Sequence, residues 1–576
     1  MLYEQRSISQ VVYNFLPDQV ADLQSRVWKV QKWREPLHLR LDDGVVRGEL
    51  MRALAPWIRA GLDQDLGRQL AAGMEIEIVT PSEDGVDVVP FPKLYRCRRC
   101  GQIERDEGKA CVAGRHDAWA TFPFVAYHTC GRLKEPFVPR CPQHDLVKCI
   151  FPESRNARDL LFTCPKCTVT ISQGIPFTKC DCGDPGMYAI APPRAGTVYA
   201  GHSAIVINPP TREIAAQFAG DAAKTTALDW ALDGMSEGSP LDRQQTLEAM
   251  IQNFMQMKFS REVAVRMAEG AAANSGGKIV AQGTDIDLEG DERVEAIDGA
   301  LKLTYATLGG RQTVHDLQAR GEPTLRERYE TNYISEIAGA RLDSVHLLER
   351  FPVLTGFYGY SRGDRRGPRP PRLNWFRERS KLRLYSLRSE TEGLLFTLDP
   401  VAVAAWLQAR GHLLGTLTDP REARLAILRH AVVPAPGDEL VTATLGSDLL
   451  TLVHTYSHRV LRSISAFCGI ERDALAEYLI PLHLSFVIYA NAKGDFVLGG
   501  LQALFENDLD RALREIVHGE RRCALDPGCA SAGKACVACL HVGEPSCRHY
   551  NRFLTRDVLF GSDGYLTTIT RALAAT

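Results

Sequence analysis

The placement of cysteine constrains this chain more than any other feature. Sixteen cysteines stand among 576 residues: ten lie between Cys97 and Cys182, five between Cys523 and Cys547, and Cys468 is apart from both groups. Cysteines spread for disulfides would not bunch into such close pairs. The N-terminus, MLYEQRSISQVVYNF, carries Glu4 and Arg6 where a secretory signal needs an apolar run. No apolar run of about 20 residues is found, so no membrane span is expected. These features point to a reducing, cytoplasmic setting, where close cysteine pairs read as metal ligands.

The pair Cys536 and Cys539 is a C-x-x-C turn, which brings two thiolates to within ~4 Å of each other, as two vertices of a tetrahedral zinc with Zn–S of about 2.3 Å require. Cys529 precedes this pair by seven residues and Cys547 follows it by eight, so both are expected as the remaining ligands, with Cys523 able to replace Cys529. Cys164 and Cys167, followed by Cys180 and Cys182, have the spacing of a zinc ribbon. Cys97 and Cys100 open a further group, for which Cys111 and Cys130 are the expected partners, with Cys141, Cys149, His116, His128 and His144 as alternatives. Two to three Zn2+ per chain are expected. Four thiolates close a zinc coordination sphere and leave no position for water, so the sites read as structural.

At about 100–200 residues per domain the chain divides into roughly three or four domains. A mixed α/β, multidomain fold is expected, in five stretches: a mixed region 1–90, a Cys-rich zinc-ribbon-like region 91–200, a mainly helical middle 201–350, a basic segment 351–395, and an α/β C-terminal domain 396–576 with a structural zinc. Within these, Met74–Val79 with Val86–Val89 reads as a strand pair, Leu449–Phe467 and Leu504–Val517 as helices, and His483–Ala490 as a buried strand.

The formal net charge of -2 means that any nucleic-acid surface must be a local patch. Residues 361–390 supply one, with ten Arg or Lys against three acids. Arg362, Arg365, Arg366, Arg369, Arg372 and Arg377 are the candidate phosphate contacts, and Trp375 with Phe376 the candidate base-stacking rings. No phosphate-cradling G-x-x-x-x-G-K-[ST] is present, nor H-E-x-x-H, nor G-x-S-x-G, so no catalytic residue is assigned. His454 and His458 do share one helical face, which leaves as an alternative a nuclease or phosphodiesterase that uses this pair with acids such as Asp448.

The C-terminal 130 residues carry an ordered set of features: Leu449 to His458, Phe486 to Tyr489, Gly494-Asp495, Leu498 to Leu501, Asp526 to Cys529, Ala535 to Leu540, Glu544 to Cys547, Asn551 to Leu554, and Arg556. This set resembles the helicase-associated zinc-binding domain of Mrf-type DNA-repair helicases and of DrmB subunits of DISARM anti-phage defence systems. Pro193 to Tyr199 and Phe351 to Arg362 are similar to DrmB-type proteins as well, whereas Cys130-Gly-Arg-Leu departs from the family's Gly-His-Leu element. The resemblance implies a bacterial, non-catalytic accessory subunit, a DrmA-type helicase as partner, and shared binding of DNA, single-stranded or duplex with an overhang.

Overall fold

The computed structural model describes residues 5–567 apart from 25, 62–63, 106–108, 115, 117, 152–156, 237, 258, 275–285, 322, 365–370, 435–442, 492–498 and 544–545. The chain is a mixed α/β, multidomain protein whose residues sort into two compact units, one built from Met1–Pro209 and Leu354–Arg388, the other from Pro210–Val353 and Ser389–Thr576. Two long strands, Leu342–Ser361 and Lys381–Leu398, therefore contribute residues to both units.

In the first unit the helix Asp43–Arg59 begins at Asp42, whose carboxylate accepts from the Val45 N–H. It buries Val46, Leu50, Leu54 and Trp57, the 3.6-residue period of one helix face. That face packs with Leu66, Leu70, Ile76, Ile78, Leu354, Leu382 and Leu384 in one apolar cluster. The strand Ile76–Thr80 runs parallel to Leu382–Tyr385 and does not pair with Val86–Pro90. Val86–Pro90 instead lies antiparallel to Trp28–Trp33. The sequence pattern missed this because two nearby apolar runs looked like a hairpin. Ile76, Ile78 and Val79 are buried and demand an interior place, whereas every residue of Val86–Pro90 is half-buried, as suits an edge strand that ends in proline.

Between residues 95 and 191 the elements are short: three small three-stranded sheets, from Tyr95–Cys97, Ile103–Glu104 and Trp119–Thr121, from Val125–Tyr127, Leu133–Lys134 and Ala189–Ala191, and from Lys148–Ile150, Leu161–Thr163 and Thr170–Gln173. The main apolar cluster of this stretch has eight buried residues, among them Ile103, Phe122, Val147 and Phe162. That is little core for about a hundred residues, so the segment depends on other crosslinks.

The second unit is different. Its core gathers buried side chains from Val314 to Leu566 in one continuous cluster. At its centre is the helix Leu445–Cys468, opened by a capping box between Thr444 and Ser447. Ser485–Ala490 is wholly buried and pairs antiparallel with both Gly393–Thr397 and Leu475–Ile480. The expected helix over 504–517 is two helices, Gly500–Asn507 and Leu509–His518, broken where Asp508 leaves helical dihedrals (φ -136°).

Candidate metal centres and the basic segment

Strand ends and tight turns bring the cysteines together. At the first knuckle, strand Tyr95–Cys97 delivers Cys97, and the Gly101 N–H closes the turn onto the Cys97 carbonyl at 2.9 Å. Gly101 has φ +77°, and a Cβ there would stand 2.7 Å from the Cys149 carbonyl oxygen, so only glycine fits. Cys100, Cys111 and His116 complete the group, with His116 Nδ1 3.4 Å from the Cys97 sulfur. The structure corrects the expected membership here, because Cys130 is not part of the group.

Cys130 lies with His128, Cys180 and Cys182. Its sulfur is 3.9 Å from that of Cys180, and Cys182 Sγ is 3.5 Å from His128 Nδ1. The antiparallel pairing of Ala189–Ala191 on Val125–Tyr127 explains the match, since it returns the 180–182 loop to the end of the 125–127 strand. The remaining ribbon pair, Cys164 and Cys167, meets Cys141 and His144 instead. The Cys141 sulfur is 3.8 Å from that of Cys167, and both Cys141 and Cys164 lie 3.6 Å from His144 Nδ1. The spacing Cys164-Cys167-Cys180-Cys182 thus does not form one group, because β-pairing sends its two halves to different upstream partners. Cys149 joins none of these groups. It sits in the apolar cluster, where burial raises its thiol to about 12.

In the second unit Cys523, Cys529, Cys536 and Cys539 form one group, with sulfur separations of 3.4 Å (523 to 536), 3.7 Å (529 to 539) and 3.7 Å (536 to 539). Tetrahedral thiolates at Zn–S of about 2.3 Å are ~3.8 Å apart. Cys523 and Cys529 are therefore both members, and Cys547 is not. Arg556 braces the loop: its guanidinium donates to the Lys534 and Arg521 carbonyls and to Asp526, and lies 3.8 Å from the Cys529 sulfur. Arg462 donates to the Val537, Ala538 and His541 carbonyls on the other side.

The knuckles favour thiolate. Burial raises the thiol of Cys97, yet the N–H groups of Cys100 and Arg99 aimed at it bring it down to about 6. Cys164 likewise falls to about 6 against burial through the N–H groups of Cys167 and Lys166, and Cys536 to about 7 through that of Ala538. Cys547 occupies a different place, beside His454, His458 and Glu477, and all four are buried. His454 Nε2 is 3.3 Å from the Cys547 sulfur and 3.1 Å from Glu477 Oε1, and His458 Nε2 is 3.4 Å from the same Oε1. His454 and His458 are 0% exposed, so no phosphodiester reaches them, which removes the nuclease alternative. Asp448 is occupied by Arg410 and His412.

The basic segment is also revised. Arg362 is 0% exposed and donates to the main-chain carbonyls of Gly131 (2.8 Å), Val198 (2.5 Å) and Asp18 (2.9 Å). It is an internal brace and not a phosphate contact. Tyr199 stacks on Tyr360 at 4.8 Å just beside it, so the segments 193–199 and 351–362 meet through these three side chains. Phe376 is buried as well and offers no ring to a base. Trp375 is half-buried in the short strand Asn374–Trp375, and the Arg377 guanidinium covers its ring at 3.6 Å. Arg372 is exposed and paired with Asp184 at 2.6 Å. Arg365, Arg366 and Arg369 lie outside the described residues.

Two comparisons bear on these sites. A domain family of unknown function (DUF8724) matches residues 7–187, a stretch that carries all three cysteine–histidine groups of the first unit. A second match is to the DISARM protein DrmB of Bacillus paralicheniformis. The two are 24% identical over 238 residues, which is 38% of this chain and 40% of that protein. The chain is thus similar to a DrmB subunit over less than half of either length. Among the described residues no helix is long and apolar enough to cross a membrane.

Proposed function

We propose that this chain is a DrmB-type, non-catalytic subunit of a bacterial DISARM defence complex, held in shape by structural zinc. The observation that carries the reading is the similarity to DrmB, together with the cysteine groups on which the fold of residues 95–191 depends. Four groups, Cys97/Cys100/Cys111/His116, His128/Cys130/Cys180/Cys182, Cys141/His144/Cys164/Cys167 and Cys523/Cys529/Cys536/Cys539, each offer the four donors that a closed tetrahedral zinc takes. Zinc in them supplies folding free energy and no open coordination position. The chain, which lacks a phosphate-cradling loop, leaves ATP hydrolysis to a DrmA-type helicase and acts in the cytoplasm. DNA binding falls to exposed arginines such as Arg372 and Arg377 with Arg365, Arg366 and Arg369, and is independent of base sequence.

The test is co-expression of the full chain with a DrmA-type helicase. The two should elute as one complex at moderate salt, and this complex should bind DNA with a salt dependence that flattens when these five arginines are replaced by alanine. Separate elution of two folded proteins at every salt concentration would refute the assignment.

A further inference from the structure

We propose that His454, His458, Glu477 and Cys547 hold a fifth metal ion, a closed zinc-class centre inside the apolar core of the second unit. Their donor atoms all lie within 4.8 Å of one another, and the nearest separations are 3.1, 3.3 and 3.4 Å. Two imidazole nitrogens, a carboxylate oxygen and a thiolate at about 2.0–2.3 Å from one ion give separations of ~3.3–3.8 Å. Three parts of the chain supply them: one face of the helix Leu445–Cys468, the strand Leu475–Ile480, in which Glu477 is buried, and a turn in which the Asn551 N–H points at the Cys547 sulfur at 3.4 Å.

Hydrogen bonding at His458 sets the tautomer a metal needs. The Leu540 carbonyl lies 2.8 Å from His458 Nδ1 and can only accept, so the proton sits on Nδ1 and Nε2 presents a lone pair. That lone pair faces Glu477 Oε1, which is also an acceptor. Neither atom has a hydrogen-bond partner, although both are sealed from water. Ser457 donates to the other carboxylate oxygen, as an outer partner of a ligating carboxylate does. Two facing lone pairs in a dry core repel unless a cation lies between them.

Charge leads to the same answer. A divalent ion held by one carboxylate, one thiolate and two neutral imidazoles gives a site of zero net charge, the one total that an apolar core accepts cheaply. The Cys523 group is different, since four thiolates around Zn2+ carry -2, and it is only partly buried, between Arg556 and Arg462.

The test needs no variant. Crystals of the purified full chain, with data collected on both sides of the zinc edge, should show an anomalous peak between His454, His458, Glu477 and Cys547. Metal analysis should give five zinc equivalents per chain, falling to four in Glu477→Gln and in Cys547→Ser. Absence of any anomalous peak at this position would overturn the proposal even if both variants fail to fold. A variant that folds and keeps all five equivalents would overturn it too. Neither result depends on whether the chain joins a helicase.

Discussion

Arg362 shows what a single buried side chain can decide. Its guanidinium satisfies carbonyls from three separate segments, at Asp18, Gly131 and Val198. Arg362→Ala would leave those carbonyls without a donor inside the protein, at a cost of about 3 kcal/mol or more. The denaturant midpoint of the first unit should fall accordingly, while Arg372→Ala, at an exposed pair, should move it by less than about 1 kcal/mol. His483 makes a prediction in pH. Burial lowers its pKa to about 4, and its ring keeps a neutral hydrogen bond to the Ala296 carbonyl at 2.8 Å. The unfolded chain binds that proton near pH 6.5, so between about 6.5 and 4 the unfolded state holds more protons. This contribution is therefore full above pH 6.5 and is lost as the pH falls to about 4, by about 3 kcal/mol. Urea titrations of the wild type and of His483→Gln across that window should converge at low pH. A residue such as Arg362 reads in the sequence as one more charge in a basic run. Nothing local separates a guanidinium that braces three carbonyls from one that meets phosphate, because the difference lies in partners more than 160 positions away along the chain.

The helix Leu445–Cys468 lies within the second unit's apolar core, and its start is tightly constrained. A Cβ on Gly446 would stand 1.8 Å from the Val432 carbonyl oxygen, so Gly446→Ala forces the helix away from the preceding segment. It should destabilise the unit by about 3 kcal/mol or more, whereas Thr444→Ala, which removes only the cap, should cost about 1 kcal/mol. Equilibrium unfolding of the two variants side by side tests the difference. This helix and the buried strand Ser485–Ala490 were legible in the sequence because each is a long apolar pattern with a clear period. The break at Asp508 was not, since the apolar face continues through both helices and the interruption depends on tertiary partners such as the pair Arg328–Asp510 at 2.6 Å.

Across the whole molecule, the apolar core beside the candidate metal groups is uneven. Residues 95–191 combine three ligand groups with a small apolar cluster, while the second unit has one extensive core. A strong chelator at neutral pH should therefore unfold the 95–191 region first. Limited proteolysis should cut there while Pro210–Val353 and Ser389–Thr576 stay protected, and added zinc should restore resistance. Simultaneous cutting of both units would contradict this. The clusters themselves were visible as close cysteine pairs, and Cys536 with Cys539 and Cys97 with Cys100 do fall together. The pairing of clusters was not visible, because strand register over about fifty residues decides it, and histidines such as His116, His128 and His144 carry no spacing signal of their own.

The order of these groups along the chain has one more consequence. The set from Cys141 to Cys167 lies wholly inside the span from His128 to Cys182, and the set from Cys523 to Cys539 lies wholly inside the span from His454 to Cys547. As the polypeptide leaves the ribosome, each inner set is complete before its outer set has received its last member. If each set captures its metal once complete, Cys164 and Cys167 are withdrawn from competition before Cys180 and Cys182 emerge, with His128 and Cys130 still waiting upstream. The order of emergence would then help to sort chemically identical cysteines into the right partnerships.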